Sequence, residues 1–322
     1  MFPIRIASLA IGLAASVIAQ GAAAQAWPTK PIRLVVPFSA GGANDLMARA
    51  AAEGASKQLG QPVIVDNKPG AGAILGADVV AKSAPDGYTF LVSAAGVVSN
   101  SMIKKSMPYK DDALVPVAMI GLAPSVIVVP ANAPYKDLKE FVAASKKSGG
   151  GFHWATAGTG STPHFVEGIL ETKYGSKLDV VPYKSGSESI TAVLGSQVEA
   201  TSEASIVVLP YVKSGKLKAL AGTWTQRISA YPELPTAAEE GFPEIRIAHW
   251  AGVHAPRGTP DAILDKMAAA VDAAMKAPAT VERLKGMGIE PIGGTRASFA
   301  KFVDEERARL GSVVKATGMK ED

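Results

Sequence analysis

The chain has 322 residues, a formal charge of +4 from 33 lysines and arginines against 29 aspartates and glutamates, and no cysteine. Without cysteine there are no disulfide staples, no thiol nucleophile and no thiolate metal site, so an exported form must hold together by its core. The positive excess is small and forms no basic stripe with interleaved aromatics, so no nucleic-acid partner is expected.

Residues 1–26, "MFPIRIASLAIGLAASVIAQGAAAQA", carry one charge, Arg5, then an apolar run, then Ala24 and Ala26 in an A-x-A arrangement. That is the pattern of an export signal cleaved after Ala26. A membrane anchor is the alternative, but the run is shorter than the ~20 apolar residues a span needs. Gln20, Gly21 and Gln25 also interrupt it. No later stretch is long and apolar enough to span, so a soluble mature chain is expected.

Strand and helix patterns then alternate. "IRLVVPF" (32–38) is a β-rich run. A helical stretch from about Asn44 to Leu59 follows, with Gly60 where a left-handed cap belongs. "PVIVDN" (62–67) reads as a second strand, a helix follows from about Ala73, and "DGYTFLVSA" (86–94) is a turn and third strand. Such alternation predicts a parallel or mixed sheet with helices on both faces. "PSVIVVP" (124–130) is β-branched, proline-bounded and suited to crossing from one lobe to another. Beyond it, "KDLKEFVAASKK" is an amphipathic helix with Leu138, Phe141 and Val142 on one face. "GGGFHWATAG" turns into a strand, and a helix starts near Thr162–Pro163. "DVVPYK" is a strand, "ESITAVLGSQ" a helix ending at Gly195, "VEATSEAS" a strand with a loop and "KLKALAGTW" another strand.

A second crossing is expected at "IAHWAGVHAP" (247–256). The tail is helical, with Thr259 as cap and Pro260 in the first turn. Stripes at Leu264–Val271 and Phe299–Val314 read as core packing. Two crossings predict two lobes: 27–127 with 248–322 as discontinuous domain 1, and 128–247 as domain 2. The cleft between them is the expected ligand site.

Two glycine-bearing loops carry the chemistry. "VVPFSAGGANDLMARA" (35–50) runs from a strand through Gly41-Gly42 onto a helix. Glycines let backbone turn sharply, and the first turn of a helix offers unpaired N–H groups at the positive end of its dipole. This makes an anion site without arginine; a tight, ordinarily capped turn that binds nothing is the alternative. Asp45 would repel an anion, so Asp45 or Asn44 is expected to accept helix N–H groups and lock the loop. Asp45 meeting a ligand ammonium or an ordered water is the other possibility. "AGTGSTPHF" (157–165) adds Thr159, Gly160, Ser161, Thr162 and His164, either as a second anion loop or as a capping loop before Pro163.

No G-x-G-x-x-G, P-loop, G-x-S-x-G, H-E-x-x-H or calcium loop is present, and the carboxylates form no convincing acid/base pair. His249 and His254 lie five apart in a β-like segment and so on opposite faces. No metal, cofactor or catalytic residue is expected.

Several motifs in order resemble one family. "WPTKPIRLVVPFSAGGANDLMARAAAEGASKQLGQPVIVDNKPGAGAILGADVVAKSAPDGYTFL" is similar to the opening of tripartite tricarboxylate transporter substrate-binding proteins, the Bug-type receptors. The resemblance continues in "VVPYKSGSESITAVLGSQVEA", "LPYVKSGKLKALAGTWTQRISAYPELPTAAEEGFP", "WAGVHAPRGTP" and "MGIEPIGG". It implies an α/β, type II-like periplasmic binding protein. Each of the two lobes is a mixed sheet flanked by helices, and the cleft closes on a small organic anion. It also implies delivery to inner-membrane permease subunits by a monomeric receptor.

In the family the two loops face each other across the cleft and hold carboxylates through backbone N–H groups, hydroxyls and waters. That carries over to Phe38, Ser39, Gly42, Asn44 and Asp45 from lobe one, with Ser93 after the third strand, and to Thr159, Gly160, Ser161 and His164 from lobe two. The chain departs from the family pattern at His164-Phe165, where His-Leu is usual, and at Glu203-Ala204, where many members have Asp-Asn. Glu203 either faces the cleft and selects a donor group or lies on the lobe-two surface. Two other readings are an orphan receptor serving a sensor kinase and a hydrolase with Ser161 as nucleophile.

Overall fold

The structure, a computed structural model, describes residues 27–149, 151–183 and 185–320. The expected export signal, residues 1–26, lies outside the described residues. No helix among the described residues is long and apolar enough to cross a membrane.

The chain opens with β1 (Ile32–Val36), α1 (Ala43–Leu59), β2 (Val63–Asn67), α2 (Ile74–Ala81), β3 (Thr89–Ser93) and α3 (Ala95–Ile103). β1 pairs in parallel with both β2 and β3. This is what alternating apolar strands and crossover helices produce, because parallel neighbours need a long return. Gly60 closes α1 in the left-handed conformation, its N–H reaching Ser56 O. α3 occupies a stretch whose sequence reading ended at the third strand.

β4 (Leu114–Pro130) is a single strand of 17 residues, and only its second half was expected. Leu114–Pro124 pairs antiparallel with β9 (Ala248–Pro256). From Ser125 onward its partners are β7 (Ala200–Ala204) and β8 (Leu217–Gly222). Pro116 lies where the register with β9 shifts, and Pro124 is the last pair before the partner changes. Such places tolerate a residue without an N–H. β9 also pairs antiparallel with β3, which ties the returning chain into the first lobe.

The second lobe adds α4 (Leu138–Lys147), β5 (Phe152–Thr156), α5 (Thr162–Tyr174), β6 (Leu178–Pro182), α6 (Gly186–Leu194) and α7 (Ser205–Lys213). β5 pairs in parallel with β6 and β7. The strand order is β2-β1-β3-β9-β4-β7-β5-β6, with β4 common to both lobes. α7 covers a stretch to which the sequence reading assigns no element; "SIVVLPYVK" carries β-branched residues and holds Pro210 inside the helix.

The chain ends with α8 (Asp261–Lys276), α9 (Pro278–Gly286), β10 (Glu290–Pro291) and α10 (Arg296–Thr317). α8 starts after Pro260, and Thr259 does not cap it: its hydroxyl donates to Pro256 O. The apolar stripes are core, as periodicity implies. Leu264, Met267 and Val271 pack with α1 and β1. Phe299, Val303, Leu310 and Val313 join Trp154, Phe165 and Trp250 in one cluster. α10 thus touches α3 of one lobe, α5 of the other and the shared strand β4.

Candidate functional site

A cavity of about 430 Å³ lies between the lobes. One wall is the β1–α1 loop, Pro37–Gly42, joined by residues 69–73 and the start of α3. The facing wall is the β5–α5 loop, Thr159–Pro163, with Ser185, Gly186 and Ser187 at the start of α6. Glu203 and Ala204 at the end of β7, Val207 of α7, and His249 and Trp250 of β9 complete it.

Six helices have their N-cap residue in this lining, α1, α2 and α3 from one lobe and α5, α6 and α7 from the other. The N-cap residues Gly42, Ala94 and Ser161 make no side-chain capping bond among the described residues. Val97 N, in the first turn of α3, bonds Ala94 O at 3.0 Å; the remaining first-turn N–H groups are left to a ligand or water, and each dipole adds partial positive charge. Only α6 is capped, Ser185 accepting from Glu188 N. Among the described lining residues the ionisable side chains are Glu203 and His249 alone.

The first loop is held from behind. Asp45 accepts from Gly41 N at 2.9 Å, Arg49 Nε at 2.9 Å and Asn67 Nδ2 at 2.9 Å. Asn67 also donates to Phe38 O at 3.0 Å. Burial alone would raise the Asp45 carboxyl, but Arg49, the Gly41 N–H and Asn67 outweigh it and hold it below its ordinary value. Asn44 donates to Trp250 O at 2.9 Å, fastening the helix start to β9. Residues 70–73 all have positive φ, including Ala71 and Ala73, and Asn100 holds the turn through Gly72 O.

Of the expected residues, Phe38, Ser39, Gly42, Asn44, Thr159, Gly160, Ser161 and Glu203 line the cavity. Three do not. Asp45 is the loop's internal latch, and it accepts a loop N–H where a capping role was expected. Ser93 faces the sheet interior, bonded to Gly252 O at 3.0 Å and His254 Nδ1 at 2.7 Å. His164 turns back on its own loop, its Nδ1 accepting from Gly160 N at 3.2 Å. Burial lowers the His164 pKa, in keeping with a neutral acceptor ring. Gly160 thus spends its N–H within the loop.

Ser161 Oγ is buried without a hydrogen-bond partner among the described residues. Ser161 and His164 consequently form no nucleophile–base pair, and the hydrolase reading lacks its first requirement. Among the described residues no cluster of three or more histidine, aspartate or glutamate side chains could hold a metal ion.

The sequence reading missed His249, the α3 and α6 N-termini and the 69–73 turn. "PYKSGSES" repeats the strand–glycine–helix signature and was legible. His249 gave no local signal. It meets Glu203 because β9 and β7 both flank β4, with Nε2 3.8 Å from Glu203 Oε2 and 3.1 Å from Ser125 Oγ. Burial pushes Glu203 up to about 8 and His249 down to about 4.

Comparison with known proteins agrees with this architecture. The family model described as "Tripartite tricarboxylate transporter family receptor" matches residues 47–319. Protein BugT of Bordetella pertussis is 35% identical over 318 residues, covering 98% of each chain. The structure of periplasmic binding protein BugD superposes with a TM-score of 0.83 at 30% identity, over 92% of this chain and 100% of that one. R. palustris Rpa4515, solved with adipate, has a TM-score of 0.85 at 30% identity, over 91% and 98%.

Proposed function

We propose a function on one premise: the chain belongs to the tripartite tricarboxylate transporter receptor family, whose members are solute-binding proteins and not enzymes. In this reading it captures a small organic carboxylate in the periplasm by closing its lobes, and hands the solute to the permease of a tripartite transporter. The observation that carries it is the convergence of six helix N-termini, from both lobes, on a cavity whose described lining holds no lysine or arginine. Carboxylate oxygens accept from such N–H groups without a formal cation. A ligand that touches both lobes stabilises their closed arrangement over any open one. The adipate bound by Rpa4515 supports this class of solute.

The chain would be exported with cleavage after Ala26 and act as a monomer. Lobe one would comprise 27–127 with 248–322, and lobe two 128–247. The change of β4's partner at Ser125 supports a hinge near there.

Thermal denaturation of the purified protein against mono-, di- and tricarboxylates and amino acids tests the reading. A ligand at a hundred times its Kd adds about 2.7 kcal/mol, which for a chain of this size raises Tm by about 5–10 °C. No shift with any carboxylate would overturn the proposal.

A further inference from the structure

The cavity has one feature that anion binding does not use. Glu203 is 5% exposed, yet it lines the cavity and its Oε1 has no hydrogen-bond partner among the described residues. Among the described residues its ionisable neighbour is His249, whose Nε2 lies 3.8 Å from Oε2, beyond hydrogen-bond reach. A buried carboxyl with unused acceptor capacity is costly unless something arrives to fill it. Its position is nevertheless built. Gly186 presents no side chain against it, and a Cβ there would sit 2.6 Å from the Glu203 carboxyl carbon. The α6 N-terminus beside it favours the ionised form.

We propose that Glu203 receives a protonated nitrogen of the solute, so that the solute is a small zwitterion, a carboxylate that also carries an amine. The inference rests on the carboxylate-capture reading above and specifies its substrate class. The carboxylate meets the helix N-termini and the ammonium meets Glu203 Oε1; the formal sum is −1, which the partial positive charge of the helix N-termini offsets. A dicarboxylate would instead meet Glu203 in its protonated form, accepting one hydrogen bond from the carboxyl and forming no ion pair. His249 is the other titratable group facing Glu203 among the described lining residues, and its burial keeps it neutral at pH 7. Burial also leaves the empty-state Glu203 mostly protonated at that pH. An arriving ammonium therefore displaces the carboxyl proton, which passes to solvent as the ion pair forms.

The test is isothermal titration at pH 7, in phosphate and in Tris, so that heats of buffer ionisation count the protons released. The probes are the proteinogenic amino acids, ω-amino acids and betaine, set against succinate, glutarate, adipate, malate, citrate and nitrogen-free monocarboxylates. The expected result is that the tightest probe is an amino carboxylate. Its binding should release close to one proton, and Glu203→Gln should weaken it about a hundredfold. Glu203→Asp, which keeps the charge on a shorter arm, should lose less. Thermal melts of both variants establish that they fold.

If the tightest probe is a di- or tricarboxylate or a nitrogen-free acid, or if Glu203→Gln binds the amine as well as the parent does, the zwitterion proposal is overturned while carboxylate capture stands. If no carboxylate of either set binds, the underlying reading fails with it.

Discussion

Replacing Gly160 with alanine tests whether the two loops work by meeting across the cleft. Gly160 belongs to the lobe-two loop and has φ +74°, in the left-handed region. A Cβ there would lie 2.7 Å from Ile103 Cδ1 and 3.8 Å from Ser99 Oγ, both on α3 of the opposite lobe. Two costs follow. An L-residue in this conformation costs about 1–2 kcal/mol. The carbon–carbon approach is roughly 1 Å inside its optimum, and Ile103, only 3% exposed, has little room to yield. Either Ile103 leaves its rotamer against its packed neighbours or the lobes part, and a closed state costing a further ~1.4 kcal/mol binds about tenfold more weakly.

Gly158→Ala is the matched control. Its φ is +97°, but the nearest atom to its Cβ would be Tyr183 O at 3.9 Å, within its own lobe. Both variants should lose about 1–2 kcal/mol of stability, lowering Tm by about 2–8 °C. Only Gly160→Ala should lose affinity beyond that, measured by titration with the tightest carboxylate or by the fluorescence of Trp250, which lines the cavity. Equal losses of affinity would refute the cross-cleft argument, because the two substitutions share backbone strain and differ in what the methyl meets.

Two further outcomes are expected. Unfolding free energy should decline as pH rises from about 6.5 to about 8, because Glu203 and Glu167 are both raised by burial to about 8 against 4.5 for an exposed carboxyl. The folded state then binds protons the unfolded chain has released, a slope of about 1.4 kcal/mol per pH unit for each group. Below about 6.5 that gain is opposed by His249 and His254, lowered by burial to about 4 and about 3, whose contribution is lost as acid protonates the unfolded chain. Urea unfolding across pH should show the alkaline decline, and Glu203→Gln should remove about half of it; a flat profile in the parent protein would count against both assignments. Asp45→Ala should destabilise the protein by about 1–3 kcal/mol, since it strips Gly41 N, Arg49 and Asn67 of a shared acceptor. It should also weaken ligand binding by freeing the first loop, whereas binding equal to the parent's would mean that the latch does not preorganise it.

The sequence by itself determined what is local. A β-branched run, two glycines and a helix start are neighbours in the chain, so the strand–Gly-Gly–helix loop that lines the cavity at Phe38–Asn44 was legible from residue order, as were the left-handed cap at Gly60 and the core stripes of α8 and α10. Family membership was legible for a related reason: several such motifs recur in a set order along nearly the whole chain. Elements whose local preferences run against their structure were not legible. α7 carries β-branched residues and an internal proline, and β4 carries prolines that read as boundaries but lie where the ladder slips or changes partner. The tertiary structure decided the orientation of single side chains. It turned His164 and Ser93 inward to Gly160 N and His254, and it set Glu203 beside His249 across the shared strand β4. The direction a side chain faces, and whether a partner is there to satisfy it, depend on strands distant in sequence. Those strands become neighbours only when the sheet forms.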